Sequence, residues 1–192
     1  MAIIGLEKLY YAKLIKDDEL GTEHDIPEYL AGVKEIKVTP KTSTEKLYAE
    51  NQIWDQDTAL DEIEVSINIA DLTNEERAKL LGHTLATEGG VFAKEDDVAP
   101  YIALLYKANK RNHKARYQVL YKGKFELPED SSKGKEGKTE YQTPQLKGIF
   151  QPLKFNKMWK WQVDEDDADC PADIGKQFFE QVTIPTKKIV TP

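Results

Sequence analysis

The sequence predicts a mainly β fold of the α+β type. Two packed β-sheets form a sandwich or barrel, with one short flanking α-helix and extended loops and arms. Two observations lead to this prediction. Several segments alternate apolar and polar residues with the period of a β-strand, most strictly from Asp61 to Ala70. A helical pattern with a start and a stop signal follows directly, from Thr73 to Gly82. A short helix beside many amphipathic strands needs a sheet to cover.

The segment after Asp61 has one apolar and one polar face. Its apolar residues are β-branched and pack well on a pleated surface; they are Ile63, Val65, Ile67 and Ile69. Polar residues, among them Glu62 and Glu64, stand between them. The segment is therefore predicted to be a strand that covers the core with one face only.

The helix that follows is predicted from its ends. Thr73 is an N-cap residue, and Glu76 three residues later completes a capping box. Gly82 ends the helix in a left-handed conformation. Ala78 and Leu81 share one face of about two turns, which is the face we expect to be buried.

The N-terminal part is predicted to alternate between strands and loops. Residues 5–15 form a first strand with two partly apolar faces, and residues 17–29, which include Gly21 and Pro27, form a loop. Val33 to Thr39 is a second strand that ends at Pro40.

The stretch between Pro40 and the strand predicted after Asp61 has a weaker pattern of alternation. Residues 42–51 are predicted to form a third strand, although the consecutive apolar residues 47–49 do not define its faces. Residues 51–60 are predicted to be a loop that carries Trp54. An exposed tryptophan there would indicate a contact surface.

The middle of the chain contains a second clear strand pair. Residues 101–108 form a strand with Ile102, Leu104 and Tyr106 on one face, and a polar loop follows at 108–114. The next strand has Tyr117, Val119 and Tyr121 on one face, and Phe125 continues that apolar face. A short strand at 91–94 precedes this hairpin. Residues 129–138 are polar and of low complexity, and we predict a mobile loop there.

The C-terminal part is predicted to contain short elements only. Any strand within 141–153 is short or lies at an edge because of its prolines, and residues 158–163 form a strand with alternating tryptophans. Residues 171–180 form a short helix with Pro171 at its first position. Residues 183–192 form an extended arm.

Length and composition bound the class of protein. The chain has 192 residues and a formal net charge of -7, and we predict a single domain over residues 1–192. No apolar run approaches the length of a membrane span, and the N-terminus lacks a signal-peptide pattern. The single cysteine, Cys170, excludes an internal disulfide framework and suits synthesis in a reducing cytosol.

No motif indicates catalysis, and we predict no catalytic residue, cofactor or metal. Residues 137–139 resemble the end of a phosphate-binding loop, but Ser132 replaces its first glycine and Pro144 blocks the helix that must follow. The acidic run 164–169 has Ala168 where a calcium loop needs an oxygen ligand. The sequence therefore predicts a protein that is not an enzyme.

A basic hairpin stands apart from the acidic segments; its cations are Lys107, Lys110, Arg111, Lys114, Arg116, Lys122 and Lys124. No acid lies between Asp97 and Glu126. Three interpretations remain open: a phosphate-contacting surface, a solvated hairpin or lysine-protected edge, and a surface that meets an acidic surface of another copy head to tail. The negative net charge argues against tight binding of DNA. The candidate subunit-contact residues are Trp54, Glu62, Glu64, Lys107, Lys110, Arg111, Lys114, Arg116, Ile184, Ile189 and Val190.

Four segments carry a resemblance to a known family. They are GLEKLYYAKL (5–14), AGVKEIKVTPKTSTEKLYAEN (31–51), ALDEIEVSINIADLTNEERAKLLGH (59–83) and the hairpin YIALLYKANKRN...YQVLYKGKFELP (101–128). Together they resemble the major tail (tail tube) protein of long-tailed, non-contractile bacteriophages of Gram-positive bacteria. The similarity extends over nearly the whole chain.

The resemblance implies a structural virion protein of the tail, made in the host bacterial cytoplasm. Such proteins form hexameric rings that stack into a tube, and DNA passes through its lumen without specific binding. The implied partners are other copies of the chain and the tail-tip, tape-measure and terminator proteins, with no membrane. We further expect acidic residues to dominate the lumen, because a negative bore repels phosphates.

Two other classes remain open. One is a monomeric β-sandwich module that binds a carbohydrate or a host surface through Trp54, Trp159 or Trp161. The other is an adaptor ring of the same fold at the head–tail joint or the tail tip. The tube protein would form long polymers, the adaptor single rings, and the binding module neither.

Overall fold

The computed structural model describes residues 2–129 and 143–187. Antiparallel strands dominate this part of the chain, which confirms the mainly β prediction. The strands are β1 (Ile3–Asp18), β2 (Gly21–His24), β3 (Glu28–Tyr29), β4 (Val33–Ala49), β5 (Gln52–Ile69), β6 (Thr84–Leu85), β7 (Val91–Phe92), β8 (Ile102–Lys110), β9 (Ala115–Phe125), β10 (Gln145–Phe150) and β11 (Lys160–Asp164). The helices are α1 (Asn74–Leu81) and α2 (Ile174–Gln177).

Nine of these strands form one large antiparallel sheet. Its order is β2-β1-β8-β9-β10-β5-β4, with β3 paired to β1 and β11 paired to β9. The other two, β6 and β7, form a small separate sheet. The strands described do not close into a barrel. Apart from Glu129, the loop predicted at 129–138 lies outside the described residues.

The large sheet is curved around a first core. Side chains from β1 and from β4, near the two ends of the strand order, join the same cluster, which also contains β5, β8, β9 and β10. The predicted apolar face of β5 is confirmed: Ile63, Val65, Ile67 and Ile69 are all buried there. Sharing one core between distant strands requires the sheet to bend.

The caps of α1 are those the sequence predicts. The Thr73 hydroxyl accepts a hydrogen bond from the Glu76 amide, and the Glu76 carboxylate accepts one from the Thr73 amide. Gly82 has a φ of 79°. A Cβ there would lie 2.4 Å from the Val98 carbonyl oxygen, so both the backbone angle and the space require glycine.

The face that α1 buries differs partly from the prediction. Leu81 is buried as expected, but the second buried residue is Leu80, and Ala78 is only half-buried. Leu72, just before the cap, also enters the first core. Because α1 has only two turns, its last turn and the residue before its cap anchor it to the sheet.

A second core lies on the other face of the sheet, over β1, β8, β9 and β11. The predicted row of Tyr117, Val119 and Tyr121 faces it. Ile174 and Phe178 from the region of α2 cover it; four residues apart in a helical segment, they lie on the same face. This helix begins after Asp173, so the predicted position of Pro171 within its first turn is wrong.

Register irregularities move some side chains between the two cores. Phe125 was expected on the face of Tyr121, but it lies in the first core. The pairing of β8 with β9 shifts register between Ile102 and Leu104, which inserts an extra residue and reverses the alternation. The same effect in β1, between Leu6 and Lys8, lets Leu6 pack against the first core.

The loop predicted at 17–29 instead contains β2 and β3. Both pair with β1, through Asp17↔Thr22 and Tyr10↔Tyr29 among others. Both strands are too short to show an alternating pattern, and much of β2 is polar. β10 was expected to be short or at an edge; it is short, but it lies between β5 and β9.

The largest difference from the prediction is the hairpin of β4 and β5. The strand expected to end at Pro40 continues to Ala49, and the loop expected at 51–60 is the first half of β5. β4 lies at the edge of the sheet, where a proline without an N–H is tolerated. The segment 51–60 shows no strand pattern because neither of its faces is buried.

Candidate contact surfaces

Residues 40–62 form a ribbon that we call the arm. Among the described residues, β5 pairs with β10 only from Ile63 onward; Pro40 pairs with Ile63, and the strand residues from 41 to 62 pair only with each other. All of them are exposed except Ala49 and Glu62, which are half-buried. At about 3.4 Å per residue, the arm is roughly 30 Å long. The chain therefore builds a long two-stranded projection that contributes to neither core.

The end of the arm is a tight turn. Ala49 pairs with Gln52, and the two residues between them, Glu50 and Asn51, have φ angles of 52° and 61°. Two consecutive positive φ angles give the hairpin turn whose twist matches that of the strands. The usual sequence signal is Asn-Gly or Asp-Gly, so the Glu-Asn pair concealed the turn.

Four apolar side chains cluster near this turn, and we call them the arm tip. All are at least half exposed; they are Leu47, Tyr48, Ile53 and Trp54. Trp54 is 64% exposed and occupies an irregular position, because the register shifts between Leu47 and Tyr48. Exposed apolar side chains concentrated in one short segment indicate a contact surface. The signal for it was a set of apolar residues on both sides of a two-residue turn.

The arm is acidic. Residues 40–62 contain six Asp or Glu and two Lys, a formal charge of -4 out of -7 for the chain. Lys41 bridges the strands at the base of the arm: its ammonium lies 2.9 Å from Glu62 and also contacts Glu64. These hydrogen bonds to Glu64 and Glu62 raise the pKa of Lys41. The candidate residues Glu62 and Glu64 are thus paired within the chain.

The basic hairpin is also largely paired within the chain. The Lys107 ammonium lies 2.7 Å from Glu7. Lys110, 3% exposed, contacts Asp166 and lies 2.7 Å from Asp164. These contacts join the basic hairpin to the acidic run 164–169 within one chain, whereas one of the three open interpretations has the hairpin meet an acidic surface of another copy.

Arg116 completes this cluster with a two-point contact. Its Nε and a terminal nitrogen donate to the two oxygens of Asp164 at 2.6 and 2.8 Å. Those hydrogen bonds hold the pKa of Asp164 well below its usual range, and Lys110 adds to the effect. Arg111 and Lys114 remain exposed at the tip of the β8–β9 loop. A subunit-contact role stays a prediction for all of these residues.

The acidic run is used for internal contacts. Glu165 accepts hydrogen bonds from the Ala115 amide and the Tyr117 hydroxyl, and Asp167 accepts one from the Asp164 amide. Within residues 2–129 and 143–187, no group of three or more His, Cys, Asp or Glu side chains is arranged to hold a metal ion. Neither α1 nor α2 is long and apolar enough to cross a membrane.

The remaining candidates lie at the C-terminus. Ile184 packs on the second core, and the neighbouring Thr183 carbonyl accepts a hydrogen bond from the Tyr121 hydroxyl at 2.9 Å. Ile189 and Val190 lie outside the described residues. The C-terminal extended segment predicted at 183–192 is therefore described only to residue 187; Thr183 and Ile184 contact the sheet and the second core, and Thr186 and Lys187 are exposed.

The tryptophans do not form a common platform. Trp54 lies on the arm, Trp159 packs against the first core and Trp161 against the second. Trp159 and Trp161 are half-buried, so among the three only Trp54 presents a largely exposed ring. Binding of a carbohydrate or a host surface through a single tryptophan stays a prediction.

A groove of about 410 Å³ lies between α1, β1 and the segment before β8. Glu28 is held there by the Tyr11 hydroxyl at 3.0 Å and by the Lys79 ammonium at 2.5 Å. Exposed Ile26 and Val98 line its rim. Glu28 and Lys79 bind each other, and Asp25 accepts a hydrogen bond from the Ile26 amide.

Comparison with known proteins identifies one family. A family model described as phage tail tube protein matches residues 26–157, which include β3 to β10 and the whole arm. No curated protein matches the chain.

Proposed function

The chain belongs to the phage tail tube protein family and is thus a structural component of the virion tail, and we propose that its copies form hexameric rings that stack into the tube conducting DNA during ejection. The observation that carries this proposal is the arm. An isolated two-stranded hairpin is marginally stable in water. A ribbon exposed on both faces, with an apolar tip, is therefore expected to be covered by another copy.

The sheet edges support the same proposal. β4 and β2 lie at opposite ends of the strand order, and within residues 2–129 and 143–187 each has one side without a neighbouring strand. Unpaired N–H and C=O groups on an edge are templates for another strand. Two different edges on one molecule allow head-to-tail addition of copies, and a rotation that closes this series gives a ring.

The proposed bore is acidic. Six copies at -7 each carry a formal charge of -42. A negatively charged bore repels phosphates, so DNA slides through without being held. The net charge of the chain supports this part of the proposal. The tail-tip, tape-measure and terminator proteins are the proposed further partners.

Negative-stain electron microscopy across a concentration series tests the proposal. We expect hollow tubes from the wild-type protein, with or without isolated tail tips added as seeds. A double variant, Ile53→Ser with Trp54→Ser, should remain unassembled at concentrations that give wild-type tubes, because the tip loses its apolar contact. The matched control, Leu85→Ser, changes an exposed leucine of the small sheet and should assemble normally.

Two results would contradict the proposal. One is a wild-type protein that remains a single chain with seeds as well as without them. The other is assembly into isolated single rings only, which indicates the adaptor. A density map of a tube whose lumen is lined by basic residues would refute the acidic bore but leave the proposed tube standing.

A further inference from the structure

A second exposed apolar patch, made of residues outside the arm, lies around the carboxylate of Asp17. This carboxylate is 4% exposed and accepts hydrogen bonds from the Lys122 ammonium at 2.6 Å and from the Lys154 amide at 2.9 Å. The Phe155 amide donates to it at 3.3 Å. Asp17 therefore fixes the end of β1 against β9 and against the segment after β10.

Exposed apolar side chains surround this anchor. Leu20 lies in the turn after β1 and is 87% exposed. Phe155, whose own amide donates to Asp17, is 43% exposed. The Tyr101 ring lies 4.9 Å from the Lys122 ammonium and 4.4 Å from that of Lys124. Because Lys122 contacts both Asp17 and Tyr101, these groups form one neighbourhood. We call residues 15–20, 101, 122–124 and 153–157 the Asp17 patch.

The Asp17 patch and the arm have opposite charge. The patch contains five lysines and three acids. After the Lys16–Asp18 and Lys122–Asp17 ion pairs, its remaining charges are Lys124, Lys154 and Lys157 against Glu19; the arm carries -4. Opposite charge around apolar contacts guides the encounter and fixes the register of two partners.

The groove beside α1, which also has exposed apolar residues, fits the arm less well. The groove rimmed by Ile26 and Val98 lies beside the acidic turn Glu95 to Asp97. An acidic arm placed there would bring like charges together, which is unfavourable. Charge therefore favours the Asp17 patch over this groove.

We propose that the arm tip of one copy binds the Asp17 patch of the next copy, with Trp54 against Phe155, Tyr101 and Leu20. The inference rests on the proposed assembly and names the surface that receives the arm. Because the two surfaces differ, copies join head to tail. A row of copies then has a free arm tip at one end and a free Asp17 patch at the other. Such a contact permits continuous growth.

Photo-crosslinking tests this contact directly. The variant Trp54→p-benzoyl-phenylalanine is irradiated at high concentration, and the crosslinked peptides are identified by mass spectrometry. We expect crosslinks between chains that map to residues 15–20, 101 or 153–157. Crosslinks that map to the Ile26–Val98 groove, or the absence of any crosslink between chains, would overturn the proposal.

A mixing experiment gives a second readout. Phe155→Glu damages the receiving patch and Trp54→Ser damages the tip, so each variant alone should need about a tenfold higher concentration to assemble. Mixed in equal amounts, the two retain one intact tip and one intact patch. We expect pairs by analytical ultracentrifugation, and no long polymers.

A matched control separates this contact from general effects. Phe92→Glu changes a phenylalanine of nearly equal exposure, 42%, on the small sheet and should assemble as the wild type does. If Phe155→Glu also assembles normally, the Asp17 patch is not the receiver, while the proposed tube remains. If the wild type forms no polymer, the proposed function itself fails.

Discussion

At the scale of single residues, the structure is stabilised by groups that tolerate little change in shape or charge. Lys110 and Arg116 meet on Asp164, and Gly148 lies against the neighbouring strand. A buried charge is stable only while its partners remain, and a closely packed glycine leaves no room for a methyl group. These positions are therefore the ones where a small substitution has a large effect.

The first prediction concerns Asp164. Its pKa is depressed in the folded protein, so the ionised form contributes stability that is present above the ordinary Asp pKa of about 3.9 and is lost as pH falls through the folded pKa. We expect Asp164→Asn to lower the thermal unfolding midpoint at pH 7. Below about pH 4 the midpoint of this variant should fall less with decreasing pH than that of the wild type. Exposed Asp96→Asn is the control. Equal acid sensitivity in wild type and Asp164→Asn would contradict the assignment.

The second prediction concerns Gly148. A Cβ there would lie 2.6 Å from the Lys124 carbonyl oxygen and 2.8 Å from the Phe125 ring. Because backbone cannot move aside easily, Gly148→Ala should cost about 1–3 kcal/mol of unfolding free energy in urea denaturation. Gly5→Ala, with no atom within 4 Å of the new Cβ, should change it by less than about 0.5 kcal/mol. Similar values for the two variants would refute the packing argument.

At the scale of secondary-structure elements, local signals define the short helix, whereas sheet elements depend on their neighbours. α1 has a complete capping box and a glycine C-cap, both encoded within ten residues. β4 and β5, in contrast, are held by pairing with each other over their whole length. The stability of α1 therefore depends on its cap, and the stability of the arm depends on the surface that covers it.

A prediction for α1 follows from its cap. Thr73→Ala removes the hydroxyl that accepts from the Glu76 amide and should lower the unfolding free energy by about 1 kcal/mol. Thr73→Ser keeps an acceptor oxygen in place and should lose only a small part of this. Urea denaturation of both variants checks the difference; equal losses would show that the hydroxyl is not what stabilises the helix.

At the scale of the whole molecule, the chain divides into a body with two cores and an arm with none. No residue from 40 to 62 belongs to either core, although this segment carries more than half of the net charge. Apolar burial stabilises the body, and the arm adds exposed surface instead. Folding and assembly are therefore expected to depend on different residues.

Shortening the arm tests this separation. Replacing residues 45–57 with Asn-Gly joins Thr44 to Thr58 through a two-residue turn. We expect the unfolding free energy to change by less than about 0.5 kcal/mol, because no core contact is lost, and assembly to disappear. The control, Glu50→Asn with Asn51→Gly, keeps the arm and should assemble. A large loss of stability on shortening would show that the arm supports the body.

Local signals were enough to predict several parts of the fold from the sequence. The alternation of Ile63 to Ile69, the two ends of α1 and the β8–β9 hairpin all follow from burial of one face or from capping. The family resemblance agrees with the match over residues 26–157. These features were predictable because each depends on residues that are close together in the chain.

The remaining features depend on contacts between residues that are far apart in the chain. The arm has no buried face, so its strands carry no alternating pattern, and its turn uses Glu50 and Asn51 in place of the usual glycine. The placement of Phe125 depends on a register shift with β8, and the pairing of Lys110 with Asp164 joins residues more than fifty positions apart. Pairing across the sheet fixes these contacts, and strand pairing is not encoded in any short segment.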